Sequence, residues 1–123
     1  MAEARKSRSY KDLEDWQLSL ELAKDIYRVT ADFPPSEKFG LVQQIRRAAV
    51  SIPSNIAEGQ FRNSSKEFRQ FLSVALGSSA ELETQLIIAR EIEYLSTEGT
   101  AVLLITLERL MKMLKKLSLS LKT

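Results

Sequence analysis

Between Gln44 and Gln70 the chain places five cations, Arg46, Arg47, Arg62, Lys66 and Arg69, against two carboxylates, Glu58 and Glu67. Guanidinium and ammonium groups gathered in this way neutralise phosphates and release their counterions, the part of nucleic-acid affinity that is indifferent to base sequence. Phe61 stands among them and offers a ring on which a base could stack. Each residue also has a plainer role open to it, Phe61 in a core or contact and the arginines in ion pairs with acids of neighbouring helices. A second basic run closes the chain, with Arg109, Lys112, Lys115, Lys116 and Lys122 and no acid between Arg109 and Thr123. By contrast Glu81, Glu83, Glu91, Glu93, Glu98 and Glu108 share their stretch with Arg90 alone. The formal net charge of +2 therefore conceals a segregated distribution. The candidate phosphate ligands are Arg46, Arg47, Arg62, Lys66 and Arg69 first, and Lys112, Lys115 and Lys116 second.

Other chemistries lack their residues. The chain has neither histidine nor cysteine, which removes the usual zinc and iron–sulfur ligands, thiol nucleophiles and imidazole acid/base pairs. Glu58, Glu81, Glu83 and Glu91 could be weighed as a di-iron carboxylate set, but such bundle sites use Glu-x-x-His pairs. No spacing sets a serine or lysine beside an activating base, and no glycine-rich phosphate loop occurs. The expectation is a binding protein with no catalytic residues, no metal and no cofactor. The opening MAEARKSRSYKDLEDW is charged where a signal peptide would be apolar, and no uncharged run approaches the roughly 18 residues of a membrane span. A cytoplasmic protein without membrane contact is expected.

The elements that must position these groups are helical. A chain of 123 residues with 44% hydrophobic content supports one core, so residues 1–123 read as a single domain with residues 1–11 as a flexible basic N-terminus. Four glycines and three prolines are too few for a many-stranded fold, and the class is all-α. Asp12 is placed to cap a first helix reaching about Ala31, with Leu13, Trp16, Leu20, Ala23 and Tyr27 on its apolar stripe. Asp32-Phe33-Pro34-Pro35 ends it, and Ser36 is placed to cap a second helix with Glu37 in its first turn.

In that second helix Leu41, Ile45, Ala48, Ile52 and Ile56 hold their register straight across Pro53. Pro53 cannot donate to the Ala49 carbonyl and crowds it. A kinked continuous helix and a true break capped by Ser51 are both possible, and the unbroken register favours the kink. Ser51, Ser54 and Asn55 can bond the freed backbone groups or a neighbouring chain, and Gly59 suits a left-handed closing position. Glu58 lies in the last turn, where the helix dipole disfavours it, and calls for a cation such as Arg46, Arg47 or Arg62. Pro53, Asn55, Glu58 and Gly59 thus read as structural or interface residues.

Ser64 and Glu67 form a capping box for a third helix reaching about Tyr94. Its small patch Gly77-Ser78-Ser79-Ala80 marks Gly77 as a point where another helix can approach closely. A fourth helix starts near Ser96 or Thr97 and carries Leu103, Leu107, Leu110, Leu114, Leu117 and Leu121 in steps of four and three. Long helices with short connections predict an antiparallel up-down four-helix bundle, and surplus apolar residues on the first and fourth helices point to self-association.

The runs GLVQQIRRAAVSIPSNIAEG and KEFRQFLSVALGSSAELETQL resemble the four-helix bundle proteins encoded in intervening sequences of bacterial large-subunit ribosomal RNA genes, and YKDLEDWQLSLELAKDIY and FPPSEKFGL fit the same pattern. The likeness covers about residues 9 to 95. It implies an antiparallel bundle assembled into a homopentameric ring. A related group, the accessory variability determinants of diversity-generating retroelements, is similar to basic pentamers acting with a reverse transcriptase and nucleic acid. No catalytic residue carries over. Arg46 and Arg47 match the family's Gln-x-x-Arg-Arg run without a transferable role, and the basic last helix lies outside the best match. A ring would repeat each basic patch and raise its effective concentration toward a polyanion. The resulting expectation is a non-enzymatic homo-oligomer that binds RNA or DNA through phosphates. The alternative is a protein-interaction scaffold or accessory subunit, working with a reverse transcriptase or another protein and without direct nucleic-acid contact.

Overall fold

Four amphipathic segments share one cluster of buried side chains. The computed structural model describes residues 9–121, so the expectation for the first eight residues lies outside it. Its α-helices are α1 (Glu14–Thr30), α2 (Leu41–Gln60), α3 (Ser65–Glu91) and α4 (Thr97–Ser120), and no strand occurs among the described residues. Leu22 and Ile26 from α1, Ile45, Ile52 and Ile56 from α2, Leu72, Leu82 and Leu86 from α3 and Leu107, Leu110 and Leu114 from α4 are almost wholly buried. Packing joins α1 to α2, α2 to α3, α3 to α4 and α4 back to α1. Every helix therefore has two helical neighbours. None of the helices is long and apolar enough to cross a membrane, over the described residues.

The helix starts differ from expectation where the backbone path overrides a good capping residue. Asp12 does not cap α1, because it belongs to a 3-10 turn, Tyr10–Asp12, capped by Ser9. The Tyr10 ring meets Trp16 edge-on at 5.3 Å and holds that turn against α1. Leu13 then takes the extended N-cap position and offers no side-chain acceptor. Ser36 does not cap α2 either. Pro34 and Pro35 direct the chain into a second 3-10 turn, Pro35–Glu37, and α2 begins only at Leu41. Glu37 does the capping instead, its Oε1 accepting from the Leu41 N–H at 3.1 Å while its Oε2 accepts from the Tyr94 hydroxyl at 3.1 Å. One carboxylate satisfies a helix start and ties it to the α3–α4 connection. The expected cap Ser64 does form, accepting from Glu67 N at 3.1 Å, and α4 starts where expected, with Ser96 accepting from Gly99 N at 2.9 Å.

α2 passes through Pro53 without interruption, and the proline is buried. Asn55 does not reach the carbonyl that the proline orphans, that of Ala49. Its amide donates to the Ser51 carbonyl at 2.8 Å and the Ser51 hydroxyl at 3.0 Å, and that hydroxyl shares a 2.8 Å hydrogen bond with Ser78 on α3. Ser51 thus fastens α2 to α3, and Asn55 braces Ser51 from within α2. Gly59 is not a left-handed closing residue: none of the described glycines has positive φ. It is buried, and a Cβ there would lie 2.8 Å from both Phe68 Cδ1 and Phe71 Cβ, so its missing side chain lets α3 approach. Gly77 is different, since a Cβ there would meet nothing within 4 Å.

α3 stops at Glu91, short of Tyr94, because Glu93 turns left-handed (φ 66°) and the Tyr94 N–H donates back to the Ala89 carbonyl at 2.8 Å. That i to i−5 bond is a helix-closing motif. On α4 the heptad leucines from Leu103 to Leu114 are buried, and Leu117 and Leu121 are half-buried.

Candidate nucleic-acid interface

The cations that are close in sequence separate in space. Arg46 lies in the second turn of α2 and Arg62 just beyond its other end, roughly 24 Å apart at 1.5 Å per residue. Two basic regions result.

In the first, Arg46 reaches back to α1. Its Nε donates to Thr30 Oγ1 at 2.9 Å, one terminal nitrogen donates to the Tyr27 carbonyl at 3.1 Å, and the guanidinium lies 4.4 Å from the centre of the Tyr27 ring. A cation bound to one carbonyl in the last turn of α1 opposes the negative end of that helix dipole. Arg47, one residue on, is exposed. Both line a groove of about 380 Å³ with Tyr27, Lys38, Phe39 and Val42. Phe39 is 81% exposed there, and the Lys38 ammonium sits 5.4 Å from its ring centre.

In the second region Arg62 pairs with Glu58 at 3.5 Å and lies 4.8 Å from the Phe71 ring centre. Of the three partners considered for Glu58, Arg62 is the one present. Arg69 donates to the Leu121 carbonyl at 2.5 Å and brings the start of α3 beside the end of α4. Lys66, Lys112, Lys115 and Lys116 are exposed. Phe61 is 83% exposed and takes no part in the chain's core.

The eight candidate cations therefore divide. Arg46, Arg62 and Arg69 are engaged within the chain, whereas Arg47, Lys66, Lys112, Lys115 and Lys116 make no hydrogen bond or ion pair among the described residues. Lys38 and Phe39 belong beside Arg47 and were not marked by sequence reasoning, and Tyr27, expected on the apolar stripe of α1, is exposed in the same groove. Phe39 had a signal, an aromatic between Lys38 and Gly40 outside the periodic stripes.

One carboxylate is placed unusually. Asp15, in the first turn of α1, is buried with its Oδ2 lacking a hydrogen-bond partner. Burial pushes its carboxyl above the ordinary range, opposed by a hydrogen bond from its own backbone N–H and reinforced by the adjacent Glu14 charge. Lys116 lines the same shallow groove between α1 and α4. Of the glutamates weighed for a metal, Glu91 pairs with Arg90 at 3.1 Å and Glu81 accepts from the Gln85 amide at 3.3 Å.

Four α-helices around a shared apolar core define an all-α protein over the described residues. The chain belongs to the 23S rRNA-intervening sequence protein family, whose model matches residues 11–116. It is also similar to a solved protein of unknown function from the S23 ribosomal protein family of Bacteroides thetaiotaomicron. That likeness has 26% identity and a TM-score of 0.77, and it covers 85% of this chain and 97% of the other. No curated protein gives a significant match.

Proposed function

We propose that the chain is a non-enzymatic cytoplasmic subunit of a homo-oligomeric ring that binds RNA or DNA through backbone phosphates. The observation carrying this reading is the set of exposed cations, Arg47, Lys66, Lys112, Lys115 and Lys116, none of which forms an ion pair among the described residues. Lysines and arginines in water at a surface are the groups that exchange counterions for phosphate oxygens. Within one chain they are few. Repetition around an axis would raise their combined effect through effective concentration.

The subunit is read as an antiparallel up-down bundle bent at Pro53. Contacts between opposite helix ends support this reading: Arg69 near the start of α3 with Leu121 after α4, and Arg46 near the start of α2 with Thr30 at the end of α1. Exposed apolar side chains support self-association. Val102 and Ile105 on the outer face of α4 are 64% and 68% exposed, and Val74, Ile88 and Ile92 add to the outer surface around α3. The count of five subunits rests on the family resemblance.

Light scattering with and without a short structured RNA at low salt tests the reading. A particle near five times the 14.0 kDa of one chain that gains RNA mass is expected. A particle of that size that ignores RNA favours the scaffold, the second reading, which draws on the same exposed Val102 and Ile105 as a contact for a protein partner such as a reverse transcriptase.

A further inference from the structure

The groove between the end of α1 and the start of α2 gathers aromatic carbon and positive charge with no carboxylate on its walls. Phe39 presents most of its ring to solvent, outside the core it could have joined. Tyr27 also lines it, beneath Arg46, whose two hydrogen bonds to α1 fix the guanidinium, so its charge needs no ordering when an anion arrives. Lys38 and Arg47 flank the rings as exposed cations. The volume, about 380 Å³, lies within the span of small-ligand sites.

We propose that this groove holds a nucleotide of single-stranded nucleic acid, with the base stacked on Phe39 and the adjoining phosphates between Lys38 and Arg47. The inference rests on the nucleic-acid reading above and deepens it by naming the strand form and the residues. The reason for a single strand is geometric. In a duplex both faces of each base are covered by neighbouring base pairs, so an aromatic platform has nothing to stack on, whereas an unpaired base offers a free π face. Phosphate neutralisation alone would need only the cations, and exposed Phe39 would have no role. The Lys38 ammonium over the Phe39 ring adds a cation where phosphate charge must come close.

The test is fluorescence anisotropy on the full chain at low salt, with a labelled single strand of about 12 nucleotides and a duplex of the same length. The proteins are wild type, Phe39→Ala, Phe39→Tyr and a triple variant, Lys112→Glu, Lys115→Glu and Lys116→Glu. Phe39 is exposed, so circular dichroism should show both of its variants folded. Phe39→Ala is expected to weaken single-strand affinity by about five-fold or more, Phe39→Tyr to restore it, and duplex affinity to stay within about two-fold. Equal effects of Phe39→Ala on both strand forms, or none on either, overturn the groove assignment. If single-strand affinity is then lost only in the triple variant, phosphate binding stands and the groove falls. A wild-type protein that binds neither strand form removes both readings. A change in particle mass on Phe39→Ala also overturns the assignment, since it marks the groove as a contact with a second copy, whose exposed Ile88, Glu91 and Ile92 have matching apolar and acidic character.

Discussion

Replacing Gly59 with alanine separates two explanations of why a glycine stands near the end of α2. In an open helical position alanine stabilises by about 1 kcal/mol relative to glycine. Here the new methyl would sit 2.8 Å from Phe68 Cδ1, 2.8 Å from Phe71 Cβ and 3.3 Å from the Phe68 carbonyl oxygen. The Phe68 ring can tilt. Phe71 Cβ is attached to the α3 backbone and yields only if the helix moves, so the strain belongs with overpacked cores, about 1–3 kcal/mol. Gly77→Ala supplies the reference, because its methyl meets nothing within 4 Å and should give the full gain. The two variants should then differ by about 1–3 kcal/mol, which at about 4 °C per kcal/mol puts the Gly59→Ala midpoint roughly 4–12 °C below that of Gly77→Ala. Thermal unfolding followed by circular dichroism at one protein concentration reads the difference. Gly59→Asn sharpens it, since a left-handed cap tolerates asparagine better than alanine and a crowded contact tolerates it worse. Midpoints that rise together for Gly59→Ala and Gly77→Ala would refute the close-approach argument, as would Asn outperforming Ala at position 59.

Three further outcomes follow from the same geometry. Arg46→Met removes two hydrogen bonds to α1 and should lower stability by about 1–3 kcal/mol in urea unfolding; Arg46→Lys should recover only part, because an ammonium cannot reproduce the planar fork. Ser51→Ala and Ser78→Ala should each cost about 1 kcal/mol, and the double variant should cost less than their sum, since both remove the same 2.8 Å link. Asp15→Asn should stabilise the protein at neutral pH. Burial raises the folded-state carboxyl above its ordinary 3.8, so the wild-type contribution is present below that value and is lost as pH rises through the folded pKa. The advantage of Asp15→Asn in thermal scans should therefore shrink toward about pH 3, and an equal advantage at both pH values would contradict the burial argument.

Helix content was legible because periodicity reports it directly: the leucines of α4 lie on one stripe whatever else the chain does, and an unbroken stripe across Pro53 already said that α2 continues. A cap was legible where the backbone arrives extended at the right residue, as at Ser64. At Asp12 and Ser36 a 3-10 turn intervenes, set by the Tyr10–Trp16 contact in one case and by Pro34 and Pro35 in the other. Gly59 shows the limit for a single residue, since a glycine required by φ and one required by a neighbour's proximity look the same in sequence.

The candidate interface was less legible for a related reason. A count of charges along the chain does not reveal that the length of α2 sets Arg46 and Arg62 about 24 Å apart. Nor does it reveal that Arg46 and Arg69 are engaged by carbonyl oxygens at the ends of α1 and α4. Lys38 and Phe39 come from a connection outside any apolar stripe, and only the folded path sets them beside Tyr27 and Arg47.

If exposed cations bind phosphates, the affinity for RNA must fall as salt rises. Anisotropy titrations of the full chain against a labelled single-stranded RNA should give a linear fall of log K with log salt. Each phosphate contact contributes a slope of about −0.7 on a single strand, so several contacts should give about −2 or steeper. Replacing Lys112, Lys115 and Lys116 together with alanine should reduce the steepness by up to about 2. No binding at low salt, or an affinity that salt and the triple replacement leave unchanged, would contradict the claim.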